Sequence, residues 1–218
     1  VLGLVGPNGA GKTTTIRCVA GILKPTSGRI VMGGHDLLLE PVAAKRALGL
    51  IPDTPHPFDM LTVTEHLRFV AMAYDVAEPE PRIEPLLDEL ELLEKRDELA
   101  STLSRGMRQK LAIACAFIRD PGLLLFDEPL TGLDPKAIRR IRDSIRRRAN
   151  EGSAVMISSH LLDLVERLCD RVLVLHRGRA LAYGTLDEVR TNAATSHDAT
   201  LEEAFFAITE DSADDGGA

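Results

Sequence analysis

Gly6-Pro7-Asn8-Gly9-Ala10-Gly11-Lys12-Thr13 decides the fold. The stretch satisfies G-x-x-x-x-G-K-[ST] in full, directly after the apolar run Val1-Leu2-Gly3-Leu4-Val5 and directly before a helical pattern that begins near Thr13. Strand, glycine loop and helix in that order suit phosphate binding. Glycines let the backbone curl so that successive N–H groups meet phosphate oxygens, and the helix adds the positive end of its dipole. A complete motif in this context weighs against an ordinary glycine turn. Asn8, Gly9, Ala10, Gly11, Lys12, Thr13 and Thr14 are therefore candidate nucleotide-binding residues, with the Lys12 ammonium bridging the β- and γ-phosphates and the Thr13 hydroxyl on Mg²⁺.

Outward from the loop, continuously apolar runs recur at 49–51, 123–126, 154–158 and 171–175, separated by longer segments of helical period. This alternation predicts an α/β fold, a P-loop nucleoside-triphosphatase type with a mainly parallel sheet core. Between the runs at 49–51 and 123–126 the pattern is mainly helical. Thr62 to Tyr74 opens on a capping box, Thr62-x-x-Glu65, and Ile83, Leu86, Leu87, Leu90 and Leu93 form a one-sided stripe. The expectation is a helical subdomain at about 60–120 inserted in the sheet order, with Glu78-Pro79-Glu80-Pro81 as a linker inside it. The chain divides into a domain over 1–195 and a closing helix with an acidic flexible tail over 196–218.

Composition limits the function classes. With 218 residues, 44% hydrophobic and 27% charged, the chain is globular and large enough for its own core. Its three cysteines, Cys18, Cys115 and Cys169, lie in apolar helical stretches without zinc spacing, which implies a reducing compartment and thiols used as core filler. The longest wholly apolar run, Leu111 to Ile118, falls far short of the ~20 residues that cross a bilayer. No basic flank marks Val1 to Val5 as a signal peptide. The net charge of −7 comes from the last segment, since 196–218 holds seven acids and no Lys or Arg. The one dense basic stretch, Lys136 to Arg148, is threaded by Ile138, Ile141 and Ile145 and predicts an amphipathic helix with a solvated face; nucleic acid is not an expected partner.

Further motifs carry chemistry. Leu123-Leu124-Leu125-Phe126-Asp127-Glu128-Pro129 is an apolar strand ending in two acids, and α/β sheets bind ligands at carboxyl ends of strands. Asp127 suits the Mg²⁺ shell and Glu128 the base that activates water beside the γ-phosphate. Leu103-Ser104-Arg105-Gly106-Met107-Arg108-Gln109 opens a helix with Ser104 as N-cap, which by itself serves only its own helix. Val155-Met156-Ile157-Ser158-Ser159-His160 places a histidine just past another strand.

In this order the motifs resemble the ATP-binding subunit of ABC transporters: phosphate loop, signature Leu103 to Met107, acidic strand end Asp127-Glu128, D-loop Gly132-Leu133-Asp134-Pro135 and switch histidine His160. The resemblance covers about residues 1 to 190. It implies a head-to-tail dimer of two copies with ATP and Mg²⁺ sandwiched between one subunit's phosphate loop and the other's signature. Ser104, Gly106 and Asp134 would then meet the second copy's ATP, while His160 would hydrogen-bond the γ-phosphate and hold Glu128 and water in line. The resemblance further implies an ATPase at the cytoplasmic face of the cell membrane, attached through an integral membrane permease.

Three features depart from the family. Where it carries glutamine after the second strand, this chain has Leu50-Ile51-Pro52-Asp53-Thr54, so Asp53 is either a metal-facing carboxylate without an amide donor or a turn residue among prolines. In the signature, Arg105 and Met107 replace the usual Gly and Gln; these variants are similar to those of type-2 export-class members. Relatives also begin some twenty-odd residues earlier, with a strand bearing an adenine-stacking aromatic, which implies an N-terminally trimmed domain. The reading is an exporter ATPase; the alternatives are a non-transport ABC ATPase of translation or DNA repair, and a nucleotide-gated clamp without efficient turnover.

Overall fold

In the computed structural model, which describes residues 1–193 and 199–214 with side chains as far as 209, the apolar runs are the strands of one central sheet. In chain order the strands are β1 (Leu2–Val5), β2 (Val31–Met32), β3 (His35–Asp36), β4 (Leu48–Ile51), β5 (Leu123–Asp127), β6 (Ala154–Ser158), β7 (Arg171–His176) and β8 (Arg179–Thr185). The helices are α1 (Lys12–Val19), α2 (Pro41–Arg46), α3 (Val63–Ala73), α4 (Glu80–Glu89), α5 (Arg105–Phe117), α6 (Pro135–Asn150), α7 (Leu162–Leu168), α8 (Leu186–Asn192) and α9 (Leu201–Asp214).

The central sheet runs β4-β5-β6-β1-β7-β8, every neighbouring pair parallel except β7 with β8. Leu4, Val5, Leu124, Leu125, Phe126 and Ile157 are fully buried, because helices on both faces cover strands that are apolar on both faces. Register then sets the site. Asp127 pairs with Ser158 across β5 and β6, and Ser158 with Leu4 across β6 and β1, so these strands end level with one another. β2 and β3 form a separate antiparallel ribbon.

Helices α3 to α5 lie between β4 and β5 in the chain. α3 begins at the expected capping box: the Thr62 hydroxyl accepts from Glu65 N–H at 3.2 Å, and Glu65 accepts from Thr62 N–H at 2.7 Å. The expected linker is shorter than its proline content suggests. Glu80 and Pro81 already belong to the first turn of α4, where a missing N–H leaves no intrahelical bond unmade. Ser104 caps α5 by accepting from Met107 N–H at 3.3 Å, and Asp134 caps α6 by accepting from Ala137 N–H at 2.9 Å.

The basic helix α6 has the expected apolar stripe and solvated face, with Lys136, Arg140 and Arg147 exposed and Arg146 partly exposed. Of the anticipated apolar stripe, Ile141 and Ile145 are buried and Ile138 is partly buried, and much of the charge on the other face is paired. Arg147 and Arg148 meet Glu89, Lys136 and Arg140 meet Glu91, and Arg146 meets Asp170. Arg148 is buried, its guanidinium stacked over Phe117 at 3.6 Å. These acids come from distant segments, so the pattern of α6 alone could not reveal them.

At the far end, α9 packs Leu201 and Ala204 into the core, is capped by Thr200 with Glu203, and continues through Asp214. The boundary expected at 195–196 and the end of the expected tail, 215–218, lie outside the described residues. All three cysteines are free thiols, and burial pushes those of Cys115 and Cys169 up to about 12.

Candidate nucleotide site

The loop after β1 can exist only as glycine permits. A Cβ on Gly6 would lie 2.3 Å from the Leu175 carbonyl oxygen, and Gly11, the N-cap of α1, sits at φ 107° in the left-handed region. The loop's acceptors are occupied by protein donors. Gly6 O takes the Lys12 ammonium at 2.7 Å, Pro7 O takes Ala10 N–H at 3.1 Å and the Lys12 ammonium at 3.3 Å, and Ala10 O takes Gly178 N–H at 3.0 Å. With those carbonyls engaged and no side-chain cap or acid at the start of α1, the loop's remaining polar character is weighted toward N–H, as an anion site requires. A cavity of about 310 Å³ opens here, lined by Pro7 to Thr14, Asp53 and Glu128.

Two strand ends add the acids. Asp127 is buried and its Oδ1 accepts from two hydroxyls, Ser158 at 2.8 Å and Thr13 at 3.1 Å. Ser158, fully buried, also accepts from Glu128 N–H at 3.0 Å, so one hydroxyl orients both acids. Glu128 adopts φ 48°, a left-handed conformation that a residue with a Cβ holds only where its surroundings enforce it. The Glu128 carboxylate stands between two cationic groups or donors. Its Oε1 is 3.7 Å from the Lys12 ammonium, and its Oε2 accepts from His160 at Nδ1 (2.8 Å) and at the backbone N–H (3.3 Å). A carboxylate only accepts, so His160 carries its proton on Nδ1 in this contact.

Asp53 lies beyond β4 and lines the same cavity. The Thr54 hydroxyl donates to it at 3.5 Å, and the Arg105 guanidinium stands 4.0 Å away. Its loop is tied to α5 by buried Gln109, whose amide donates to Pro52 O at 3.3 Å. Two residues that depart from the family pattern, Asp53 and Arg105, are thus neighbours. Ser104, Gly106 and Asp134 do not line this cavity. The structure therefore gathers the loop residues, Asp53, Asp127, Glu128 and His160, and leaves Ser104, Gly106 and Asp134 outside the cavity lining, although Arg105 of the signature reaches Asp53. Ser158, Gln109 and Gly178 contribute to the site without having been singled out from the sequence. Of these, only Ser158 carries a signal, as a small polar residue ending an apolar strand beside His160.

A glycine loop between β1 and α1, with acids at the carboxyl end of a neighbouring parallel strand, defines the P-loop class of nucleotide-binding α/β proteins. Comparison with known proteins narrows this. The family model described as ABC transporter matches residues 1–131. The ABC-type transporter ATP-binding protein EcsA of Bacillus subtilis (strain 168) is 37% identical over 215 residues, covering 98% of this chain and 87% of that protein. The daunorubicin/doxorubicin resistance ATP-binding protein DrrA of Streptomyces peucetius is 36% identical over 198 residues, 90% of this chain and 60% of its own length. A solved structure titled as the ATP binding subunit of an ABC transporter superimposes with a TM-score of 0.91 at 39% identity, covering 95% of this chain and 87% of that one. The chain belongs to the ABC transporter family, among its ATP-binding proteins.

Proposed function

We propose that the chain binds and hydrolyses ATP, that ATP closes a head-to-tail dimer with a second copy, and that this closure drives export through a separate membrane permease. The observation that carries the reading is the Glu128 carboxylate, held between Lys12 and His160 at the lip of the phosphate-loop cavity. On binding, the Lys12 ammonium exchanges loop carbonyls for phosphate oxygens. Glu128 accepts the proton of the attacking water as the water oxygen bonds to the γ-phosphorus and the bond to the β-phosphate oxygen breaks. His160 keeps the Glu128 carboxylate aimed while this happens.

The donor set suits Mg²⁺. Thr13 Oγ1 and Asp127 Oδ1, 3.1 Å apart, are hard oxygen ligands of the kind that hold this ion together with phosphates, and Asp53 is a further carboxylate on the cavity. Held by Thr13 and Asp127, Mg²⁺ would supply positive charge to offset that of the nucleotide phosphates.

The dimer reading is supported by the position of Ser104, Gly106 and Asp134 away from the subunit's own cavity, with Ser104 and Gly106 at the N-terminus of α5, which suits a phosphate arriving from outside. A permease partner fits a second cavity of about 290 Å³, lined by Phe58, Phe69, Val70, Tyr74 and Leu111, where Phe58 and Phe69 are partly exposed. Among the described residues no helix is long and apolar enough to cross a membrane, and the proposed location is the cytoplasmic face, held through that permease. Export is favoured by the signature variants and by the drug-resistance name of the Streptomyces relative.

Measuring ATPase rate against protein concentration tests the reading. The parent should show a second-order rise and Ser104→Arg almost no turnover, with single-subunit nucleotide binding retained. A first-order rate unchanged by Ser104→Arg would establish a self-sufficient monomer site.

A further inference from the structure

Glu91 adopts a conformation in which glycine would be at ease. It follows the end of α4 at φ 56°, in the left-handed region that crowds any Cβ. Its carboxylate collects three cations from two other helices. Oε2 lies 3.1 Å from the Lys110 ammonium on α5, and Oε1 lies 2.9 Å from the Lys136 ammonium and 3.2 Å from Arg140 Nε on α6. Hydrogen bonds from Lys136 and Lys110 hold the acid down to about 2, so it is ionised throughout the neutral range. Lys110 is only 12% exposed, and Glu91 is the acid its ammonium is paired with.

Both helices that meet at Glu91 begin at residues outside the subunit's own cavity. α5 starts from Ser104 and contains Gly106 in its first turn; α6 starts from Asp134 and contains Lys136 in its first turn. The two starts also touch, since a Cβ on Gly106 would lie 3.2 Å from the Leu133 side chain. Asp134 is held below the ordinary carboxylate range, chiefly by Ala137 N–H and in part by the charge of Lys110. Without the Glu91 carboxylate, Lys110 would face Lys136 and Arg140 as like charges across this contact. The strained carboxylate thus acts where it can set the spacing of two helix starts.

We infer that Glu91 is a positioning residue for ATP turnover: it locks α5 to α6 so that Ser104, Gly106 and Asp134 present one fixed surface to the nucleotide held by the second copy. The inference rests on the dimer reading above.

Two variants separate positioning from mere support. Glu91→Gln keeps the shape and removes the charge, whereas Glu91→Gly relaxes the backbone and removes the side chain. Both should lose roughly tenfold or more in kcat, since small misplacement of reacting groups is costly. Affinity of the isolated subunit for a fluorescent ATP analogue should stay within about twofold of the parent. The thermal midpoint of Glu91→Gly should show that it remains folded. In a double-mutant cycle, Lys110→Met should add little to Glu91→Gln. Parental kcat in either Glu91 variant, equal losses of affinity and turnover, or additive effects of Lys110→Met and Glu91→Gln would overturn the inference. Ser104→Arg run alongside identifies what has failed: if it abolishes turnover while the Glu91 variants work normally, this inference alone falls; if it too is harmless, the dimer reading falls and takes this one with it.

Discussion

Glu128→Gln should move binding and turnover in opposite directions. The substitution preserves shape but removes a charge 3.7 Å from the Lys12 ammonium, in a pair whose side chains are 7% and 17% exposed. At an effective dielectric of about 20, such a pair attracts by on the order of 4 kcal/mol before desolvation is counted. In the parent, ATP must draw Lys12 away from this carboxylate and bring a γ-phosphate up to its negative charge. Even if only about 1 kcal/mol of the attraction is realised, removing it tightens ATP binding by roughly fivefold. Turnover should fall by about 10²- to 10⁴-fold, the usual contribution of a positioned base. Equilibrium titration with a fluorescent ATP analogue, phosphate release at saturating ATP, and sedimentation with and without ATP read the three consequences, the last being a trapped dimer. Turnover within about threefold of the parent would place the base elsewhere. Affinity falling in step with turnover would show that the carboxylate only supports the loop.

Lys12→Ala should weaken nucleotide binding or turnover far more than Lys95→Ala at a site remote from the cavity; equal behaviour in a nucleotide titration and rate assay would remove the loop assignment. Asp53→Asn should weaken the Mg²⁺ dependence of ATPase several-fold while leaving metal-free nucleotide binding little changed, and superimposable Mg²⁺ titrations of the two proteins would remove Asp53 from the site. Glu89 is pushed up by burial but pulled lower by hydrogen bonds from Arg148 and Ser144, so its net shift is downward and its stabilisation is present above the ordinary carboxylate range. Glu89→Gln should therefore cost about 2 kcal/mol in urea unfolding at pH 7, a difference that shrinks as the pH falls through the range where Glu89 protonates; an equal cost at both pH values would contradict this sign.

The central sheet is legible because its parallel strands are buried on both faces and must be apolar throughout. β8 is not: Arg179 to Thr185 mixes exposed and buried positions, and its hairpin turns on Arg177 and Gly178, both left-handed, where an arginine gives no turn signal. The loop and strand-end acids are legible because backbone geometry and phosphate chemistry restrict the residue types allowed. Ser158 escapes notice since a buried serine at a strand end has many possible uses. The Asp53–Arg105 neighbourhood and the cation cluster on Glu91 depend on packing between segments far apart in the chain, and no spacing within either segment encodes them.

The Arg177-Gly178 turn has a bearing on how this chain could be re-engineered. Exposed hairpin tips are ordinarily where extra residues, tags or whole domains are accepted without harm. This one donates Gly178 N–H to Ala10 O, and Gly178 Cα lies only 3.7 Å from where a Cβ on Gly11 would stand. Lengthening the tip would withdraw that donor and free an acceptor inside the phosphate loop. A position that looks permissive from its solvent exposure is therefore closed to insertion, and a graft intended as silent would register first as lost nucleotide affinity.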